Sequence, residues 1–391
     1  MKQFDCVVVG GGMVGAASAL SLADLGLKVA VVERSEPKEY SSDQALDLRV
    51  SAISLSSEQL LKQLGAWQQL TQWRVCPYKR LGVWEFEQSY TEFNSKDIMQ
   101  PHLGHIIENR LVQLSLWQQI KQHGNIELLC PETLLGIEQN TAEHSYAILT
   151  LSSQIIAAKL ILATDGANSQ VRKLANIGTT GWDYAQSAML INVRTEKPQQ
   201  NITWQQYFQT GPVAMLPLLD NNASLVWYHE KAEINRLSSL SNDALQTEIM
   251  QNFPPKLGNV EVVTKASFGL TRRHANQYIK GRVILLGDAA HTINPMAGQG
   301  VNLGFKDVKA LQTVFAEAIG NGQAWNKPSV IAKYEQKRRK DNLLMMTAMD
   351  ALYLSFGHVS PVVKLARNAA LFSVNKLPSL KKKALAYACG V

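Results

Sequence analysis

The N-terminal segment alternates between apolar runs and one helical pattern. A short, β-branched apolar run covers residues 4–9 and ends in glycines, and small and apolar residues follow at helical spacing over residues 13–25. A second apolar run covers residues 28–33. The order strand, glycine turn, helix, strand predicts the βαβ unit of a parallel sheet.

The pattern changes in the middle of the chain. Short strand-like segments separated by turn residues predict an antiparallel sheet, and they cover residues 186–194, 203–208, 213–218 and 223–228. A parallel-type strand returns at residues 281–288, and the chain becomes mostly helical after Gly298. We therefore expect an α/β fold in which a Rossmann-like, cofactor-binding domain is interrupted by an inserted antiparallel sheet that binds the substrate. The expected division is a cofactor domain of residues 1–72, 100–177 and 271–330, a substrate domain of residues 73–99 and 178–270, and a helical C-terminal region of residues 331–391.

Composition narrows the class of protein. The 391 residues are 46% hydrophobic and 18% charged, which is typical of a globular chain and not of a disordered one. No apolar run reaches the roughly 20 residues of a membrane span, and no signal-peptide pattern precedes the first strand, so we expect a cytoplasmic protein. The net charge of +7 is spread along the chain without a nucleic-acid-binding motif, and we expect no nucleic acid partner. The four cysteines have no paired spacing, which predicts neither a disulfide framework nor a metal site.

A glycine motif follows the first predicted strand. Gly10, Gly12 and Gly15 form the pattern G-x-G-x-x-G, in which the first glycine permits a tight turn, the second lets the backbone approach a pyrophosphate and the third lets the helix pack on the strand. The helix N-terminus offers free N–H groups and its positive dipole end to phosphates. Glu33, at the end of the second strand, can accept hydrogen bonds from an adenosine ribose. A flexible turn is the alternative, but strand, helix and acid together favour FAD or NAD.

A second constellation covers residues 287–307, after the apolar run at 283–286. Gly287 and Asp288 would lie at the carboxyl end of a parallel strand, where ligands of open α/β sheets bind, so that Asp288 can hold a polyol such as a ribityl chain. Pro295 stiffens the following loop, and Gly298 and Gly300 bring bare backbone to a helix start that would face the flavin ring. NAD has no ribityl chain and needs no such second site, so this constellation favours FAD. A helix-capping aspartate with loop glycines is the alternative.

A third apolar strand ends in Asp165 and Gly166, with Arg172 beyond it. Asp165 could anchor backbone or a ribityl hydroxyl, and Arg172 could pair with Asp165 or with phosphate. The three segments, in this order and over nearly the whole chain, resemble the three fingerprints of the para-hydroxybenzoate-hydroxylase-like (class A) flavin monooxygenases. The third fingerprint departs from the usual Gly-Ala-Asp-Gly because Ala163 and Thr164 precede Asp165, and we expect different local backbone contacts there.

Further stretches resemble the ubiquinone-biosynthesis hydroxylases of this family. They are residues 103–113, 211–218, 270–275 and 287–304, with Tyr334, Glu335, Arg338 and Asn342. Residues 181–193, 203–208 and 223–228 look most like the demethoxyubiquinol hydroxylase branch. The resemblance and the motifs together imply catalytic positions beside the isoalloxazine at Pro295, Gly298, Gln299 and Gly300. The expected cofactor-binding residues are Gly10, Gly12, Gly15, Glu33, Arg34, Arg49, Gln113, Asp165, Gly166, Gly287, Asp288, Gly300, Val301 and Asn302.

The resemblance implies an aromatic hydroxylase that depends on FAD, on O2 and on NADPH or NADH as a transient reductant. Reduced flavin would give a C4a-hydroperoxide whose distal oxygen passes to an electron-rich quinol ring. The expected substrate is a polyprenyl benzoquinol, namely 2-polyprenyl-3-methyl-6-methoxy-1,4-benzoquinol in the indicated branch. A sister hydroxylase of the pathway that oxidises another ring position, another flavoenzyme on the same scaffold and a non-catalytic flavin-binding assembly subunit stay open as alternatives.

Several side chains carry weaker expectations. His291 could act as a general base, although a histidine that fixes the loop by hydrogen bonds is the simpler interpretation. Trp204, Tyr207 and Trp227 lie in the predicted sheet and could stack on a quinol ring, but ordinary core packing is the safer interpretation for each. The tail of residues 348–391 mixes apolar turns with cations, a composition suited to an anionic membrane surface or to a solvated helical cap. The resemblance also implies association with other enzymes of the pathway, or peripheral association with the inner membrane.

Overall fold

Two large sheets and a small one organise the chain. In the computed structural model, the described residues are 1–139, 146–294, 298, 300–357, 364–365, 367–369, 372–373 and 377–390. The helices are α1 (Met13–Ala23), α2 (Leu55–Gln63), α3 (Trp67–Trp73), α4 (Asn109–Gln122), α5 (Gln170–Leu174), α6 (Lys231–Ser239), α7 (Asn242–Asn252), α8 (Gly300–Gly320), α9 (Pro328–Gly357) and α10 (Pro378–Cys389).

The strands of the structure include all those that the sequence patterns predicted. They are β1 (Lys2–Val9), β2 (Val29–Val32), β3 (Val50–Ser54), β4 (Cys76–Tyr78), β5 (Arg80–Trp84), β6 (Thr91–Asn94), β7 (Gly104–Glu108), β8 (Ile126–Leu129), β9 (Leu134–Glu138), β10 (Ala147–Leu151), β11 (Ile155–Ala163), β12 (Thr179–Thr195), β13 (Ile202–Phe208), β14 (Gly211–Pro217), β15 (Asn222–Glu230), β16 (Val260–Ala275), β17 (Ile279–Lys280), β18 (Val283–Leu285) and β19 (His291–Thr292).

The first sheet has the order β17-β18-β11-β1-β2-β8, and the antiparallel strands β10 and β9 extend it from β11. Its central strands β18, β11, β1, β2 and β8 run parallel. Because βαβ crossovers cover both faces of a parallel sheet, these strands are continuous apolar runs rather than alternating ones. The small residues of α1 allow this helix to be buried from Gly15 to Ala23. The predicted Rossmann-like α/β fold is confirmed.

The second sheet has the order β19-β16-β12-β15-β14-β13-β5-β6. Its pairs are antiparallel except β13 with β5, because β5 comes from a separate, earlier segment of the chain. Side chains alternate between two faces. The face that carries Met189, Met215 and Leu225 packs against α6 and α7, which contribute Ile234 and Leu245 to the same core.

Strands β3, β7 and β4 form a third, three-stranded sheet. This sheet packs against the second one, because Cys76 and Ile106 contact Leu218, directly after β14. Within the described part of the chain, none of the helices combines the length and the hydropathy that a membrane span requires. Pro295, Gln299 and parts of the tail at 358–376 lie outside the described residues.

Candidate cofactor and active site

Four neighbouring parallel strands of the first sheet end at the same level. Val32, Val9, Ala163 and Leu285 are in register across β2, β1, β11 and β18. Backbone hydrogen bonds continue one residue further, with Thr164 N donating to the Val9 carbonyl oxygen at 2.9 Å and Leu286 N donating to that of Ala163 at 3.0 Å. The three motifs of the sequence therefore meet at one edge of one sheet, although almost three hundred residues of chain separate the first from the last.

The turn after β1 is fixed by steric limits on its glycines. Gly10 has φ of +101°, a conformation that side chains other than glycine rarely adopt. A Cβ on Gly15 would lie 1.8 Å from the Gly10 carbonyl oxygen, so helix α1 approaches the turn as closely as backbone allows. A Cβ on Gly12 would meet nothing within 4 Å, which leaves the N-terminus of α1 open on that side.

Three side chains from other segments of the chain stabilise this turn. Glu33 accepts hydrogen bonds from Gly11 N at 2.7 Å and, through its second oxygen, from Arg34 N at 2.9 Å. Gln113 Nε2 and Trp117 Nε1 both donate to the Gly11 carbonyl oxygen, at 2.9 and 2.7 Å. Glu33 thus supports the turn itself, and it keeps lone pairs free for a ribose because a carboxylate offers about four acceptor sites.

The third motif is tied to the first by its unusual threonine. The Thr164 hydroxyl donates to the carbonyl oxygens of Val9 and Gly10, both at 2.9 Å, so the departure from the family pattern adds a contact between two motifs. Asp165 Oδ2 accepts hydrogen bonds from Gln170 N and Val171 N at the start of α5. Asp165 Oδ1 is buried and has no hydrogen-bond partner among the described residues. Gly166 follows with φ of +81°.

Arg172 does not form the expected pair with Asp165, while its alternative pairing with phosphate stays a prediction. Its guanidinium donates to the backbone carbonyl oxygens of Ala289 and Ala167, at 2.8 and 2.9 Å, and forms no hydrogen bond with Asp165. The side chain is buried, and it joins the second motif to the third. A buried guanidinium needs hydrogen-bond acceptors in a fixed arrangement, and backbone carbonyls of the two turns supply them.

Gly287 and Asp288 follow the end of β18 in a short 3-10 turn. Gly287 has φ of +57°, and its N–H donates to Asp307 Oδ2 at 3.0 Å. The Asp288 side chain is accessible from the cleft. Desolvation by the surrounding protein nevertheless raises the pKa of this carboxyl, and Asp307 raises it further while His291 lowers it. Asp288 is thus an exposed carboxylate that follows directly after the end of β18.

A buried ionic network supports this turn through Asp307, which accepts the hydrogen bond from Gly287 N. Asp307 Oδ2 lies 2.6 Å from His291 Nε2, and Asp307 Oδ1 accepts hydrogen bonds from Arg338 Nε at 2.7 Å and from Asn342 Nδ2 at 3.1 Å. Burial by itself would raise the pKa of Asp307, but the charges and hydrogen bonds of His291 and Arg338 outweigh it and hold the pKa at about 2. The network favours the loop-fixing interpretation of His291, because its Nε2 faces Asp307 inside the protein.

The start of α8 is held against β3 and α2. Asn302 is buried, and its Oδ1 accepts hydrogen bonds from Ser54 N at 3.0 Å and from the Ser57 hydroxyl at 2.7 Å. Its Nδ2 donates to the carbonyl oxygens of Ala52 and Gly298. The Asn302 side chain therefore positions the helix start and has no remaining hydrogen for a cofactor. Gly300 has open space where a Cβ would lie, and Val301 is half-buried beside it.

Two predicted cofactor ligands lie at the surface. Arg34 and Arg49 are exposed, and Arg49 directly precedes β3. Among the described residues, the side chain of Arg49 forms no hydrogen bond or ion pair. Both arginines flank the strand-end row, which is the row of strand ends at Val32, Val9, Ala163 and Leu285. Arg34 follows β2, and Arg49 lies on the segment that leads into the third sheet.

Only one face of the second sheet looks toward the strand-end row. Asn192 on β12 donates to the carbonyl oxygens of Leu46 and Asp47, in the segment before β3. The same face carries an apolar cluster over which the end of α9 packs. That cluster contains Tyr184, Ala188, Tyr207, Ala214, Val226, Tyr228, Leu270 and Phe356.

Alternation along the strands divides the three aromatic residues that the sequence grouped together. Tyr207 lies on the inner face and stacks on Phe356, with ring centroids 3.7 Å apart. Trp204 and Trp227 lie on the opposite face, in the core that α6 and α7 cover, where Trp227 contacts Phe253 edge to face. Core packing, the safer interpretation of Trp204 and Trp227, is therefore confirmed, and the alternative that they stack on substrate is wrong.

The residues present fit FAD at this cleft. The buried, unpartnered Asp165 Oδ1 requires a donor, and the open positions above Gly12 and Gly300 let a ligand approach bare backbone at two helix N-termini. Sequence reasoning missed the supporting roles of Trp117, Thr164 and Asp307. Arg338 and Asn342 were noticed only as part of a resemblance, since their contact with Asp307 crosses more than 30 residues of chain.

Comparison with known proteins identifies a family and several relatives of this chain. Residues 3–347 match the family described as FAD binding domain. The 3-demethoxyubiquinol 3-hydroxylase of Escherichia coli (strain K12) is 43% identical over 387 residues, which span 99% of this chain and 98% of that protein. The mitochondrial ubiquinone biosynthesis monooxygenase COQ6 of Danio rerio is 31% identical over 436 residues, spanning 99% and 90%. The crystal structure of p-nitrophenol 4-monooxygenase PnpA from Pseudomonas putida DLL-E4 has a TM-score of 0.79 at 20% identity, covers 98% of this chain and 97% of that chain, and thus shares the fold.

Proposed function

Because the chain belongs to the FAD binding domain family, together with hydroxylases of ubiquinone biosynthesis, and is therefore an FAD-dependent oxidoreductase, we propose that it hydroxylates the ring of 2-polyprenyl-3-methyl-6-methoxy-1,4-benzoquinol. The observation that carries the proposal is the row of strand ends at Val9, Ala163 and Leu285, which brings three cofactor motifs to one edge. The full-length identity of 43% to a demethoxyubiquinol hydroxylase supports the choice of ring.

When FAD is bound at this cleft, it would supply hydride acceptance from NADPH or NADH and activation of O2 for transfer of one oxygen atom to the ring. The protein's residues have four tasks. The amides at the start of α1 would bind the pyrophosphate, and Glu33 would accept from the ribose. Asp165 and Asp288 would accept from hydroxyls of the ribityl chain. The amides of Gly300 and Val301 would place a helix N-terminus beside the ring system and stabilise negative charge there.

We propose that the quinol ring lies between the start of α8 and the inner face of the second sheet. Tyr207, Tyr228 and Leu190 on that face offer an apolar, aromatic wall, and α9 closes one side through Phe356. A wall of this kind excludes water from the reacting ring, which protects a reactive oxygen-transfer step from unproductive decay. The ring itself is electron-rich, so no acid or base side chain needs to activate it.

Product analysis in a strain that lacks this protein tests the assignment. We expect demethoxyubiquinone to accumulate, and the purified enzyme to incorporate one labelled oxygen atom from O2 into a demethoxyubiquinol analogue while it oxidises NADPH or NADH. Accumulation of a different quinone intermediate would instead assign a sister step of the pathway. A yellow protein that supports ubiquinone formation without analogue-stimulated oxidation of reductant would indicate a non-catalytic assembly subunit.

We also propose that the C-terminal region meets the membrane that holds the polyprenyl substrate. Leu344, Leu354 and Leu365 are exposed on α9 and beyond it, and apolar side chains beside cations can enter a lipid headgroup layer. Part of the positive charge is already engaged, because Arg367 pairs with Glu85 and Lys381 lies 3.3 Å from Asp97. The exposed leucines are therefore the better candidates for contact. Sedimentation of the protein with anionic vesicles should fall in the double variant Leu344→Ser, Leu354→Ser. Unchanged sedimentation would indicate that the enzyme reaches its substrate by docking on other proteins of the pathway.

A further inference from the structure

Three side chains with metal-binding chemistry meet outside the strand-end site. Glu58 lies on α2, His102 precedes β7 and His105 lies on β7. One ligand atom from each lies within 4.8 Å of the other two. Glu58 Oε2 is 2.7 Å from His102 Nε2 and 3.3 Å from His105 Nδ1. Glu58 and His105 are buried, and His102 is half-buried, so the group is an internal cluster with one side toward solvent.

His105 supplies an independent sign that the cluster takes a ligand. Its side chain is more than nine-tenths buried, and Nδ1 has no hydrogen-bond partner among the described residues although it faces Glu58. A buried polar atom without a hydrogen-bond partner lowers stability, so a ligand that engages it is favoured. The rings of Trp67 and His105 pack edge to face with their centroids 4.9 Å apart, and this contact fixes the orientation of the imidazole.

The Glu58 carboxylate is the shared partner of the cluster. Its Oε2 faces both Nε2 of His102 and Nδ1 of His105. Lys62 Nζ lies 2.6 Å from the other carboxylate oxygen and is half-exposed, so it can move into solvent when another cation arrives.

One of the two ligand separations to Glu58 matches a tetrahedral ion, and the other is shorter. Zn²⁺ binds imidazole nitrogen and carboxylate oxygen at about 2.0–2.2 Å, which separates neighbouring ligand atoms by roughly 3.3 Å. The Glu58–His105 pair already has this separation, and the Glu58–His102 pair reaches it if a loop histidine moves by about 0.6 Å. We propose that Glu58, His102 and His105 form a binding site for a divalent transition metal of the zinc type, with water at the open fourth position.

Such an ion would join α2 to β7, two elements that support the cofactor cleft. Ser54 and Ser57, at the N-terminal end of α2, hold Asn302 at the start of α8. Strand β7 pairs with β3, which carries Ala52 beside Gly298. Sequence analysis predicted no metal site. Residues 102 and 105 form the pattern H-x-x-H, but Glu58 lies 44 residues before His102. Only the fold brings them together.

Metal titration of the FAD-loaded, chelator-treated enzyme tests the proposal. We expect one Zn²⁺ per chain by equilibrium dialysis, and Co²⁺ should give tetrahedral absorption bands at wavelengths beyond those of the flavin. Binding to the folded state should also raise the melting temperature with metal concentration. These readouts do not depend on turnover, so they distinguish this site from the function proposed above.

Ligand variants decide the assignment. His102→Ala, at the half-exposed ligand, and Glu58→Gln should each weaken binding at least about tenfold, since loss of outer-shell partners alone costs about 10–100-fold. Lys62→Met should strengthen binding because it removes the competing cation. His123→Ala is the matched control, since His123 lies 3.5 Å from Asp24 in a surface pair without a third ligand. Absence of stoichiometric metal, or equal affinity in His102→Ala and the unmodified enzyme, would overturn the site and leave a proton-binding cluster.

Discussion

The two large sheets present residues to the same cleft in different ways. The first contributes backbone at the ends of parallel strands, where Gly10 and Gly15 leave no room for a side chain. The second contributes side chains from one of its faces, such as Tyr207. Backbone requirements select glycine at single positions and can be seen in a sequence. Which face of a sheet lines a cleft depends on the elements that cover the other face. A shift of one residue in strand register exchanges the side chains of the two faces.

The largest expected effect tests the steric limits on the glycines of the first sheet. Gly15→Ala puts a Cβ 1.8 Å from a backbone oxygen, so we expect the free energy of unfolding to fall by about 4 kcal/mol or more, in the exceptional range for one substitution. Gly12→Ala is the matched control, because its Cβ meets open space and its φ of −65° suits any residue. Urea unfolding of the apoproteins should separate the two variants, with Gly12→Ala within about 0.5 kcal/mol of the parent and impaired mainly in FAD binding. Equal unfolding energies would contradict the steric account.

The next effect concerns the network behind β18. Asp307→Asn leaves Arg338 buried beside a neutral partner, and we expect a loss of about 3–5 kcal/mol. Since the pKa of Asp307 is held at about 2, below its ordinary value, its contribution is present above roughly pH 4 and disappears as the pH falls through about 2. Urea midpoints across this pH range should converge between parent and variant in acid. Asp341→Asn, which removes the more exposed partner of Arg338, should cost only about 0–1 kcal/mol.

A smaller effect tests the strand-end carboxylates. Asp288→Ala should weaken FAD retention by about 1.5–3 kcal/mol, the range of a hydrogen bond to a charged group, without lowering the stability of the apoprotein. Glu33→Ala should weaken FAD binding similarly and also loosen the turn, because Glu33 accepts from Gly11 N. Flavin fluorescence after dialysis measures both, and Asp24→Ala at the surface is the control. Unchanged occupancy in Asp288→Ala would remove Asp288 from the cofactor site.

The smallest effect sharpens the comparison on the second sheet. Phe356→Leu removes a ring stack on Tyr207 worth about 0.5–1.5 kcal/mol and should raise KM for a quinol analogue about twofold to tenfold. Trp227→Phe, on the opposite face, should lower the melting temperature without changing KM. Steady-state kinetics of the two variants beside their melting curves separates the faces. A change of KM in Trp227→Phe alone would reverse their assignment.

Sequence reasoning found what local geometry demands. It located Gly10, Asp165 and Asp288 at strand ends, because apolar runs that stop at glycine or aspartate indicate where parallel strands finish. It could not place Trp204 and Trp227, because alternation separates two faces without identifying the covered one.

Long-range polar contacts also escaped prediction. Asp307 and Arg338 form one buried pair from two helices, and neither helix alone requires a partner for its charge. Thr164 was recognised as unusual, but its bonds to Val9 and Gly10 depend on the pairing of β1 with β11.

The placement of β18 next to β11 has a consequence for biosynthesis. The third edge of the cleft is made by residues 283–288, so a ribosome must release most of the chain before the pocket can close. Until then, the apolar edge of β11 stays exposed on the nascent protein, a state prone to association with other chains. We therefore expect cofactor capture to come late in synthesis, and flavin starvation should increase the pool of chains that chaperones and proteases recognise.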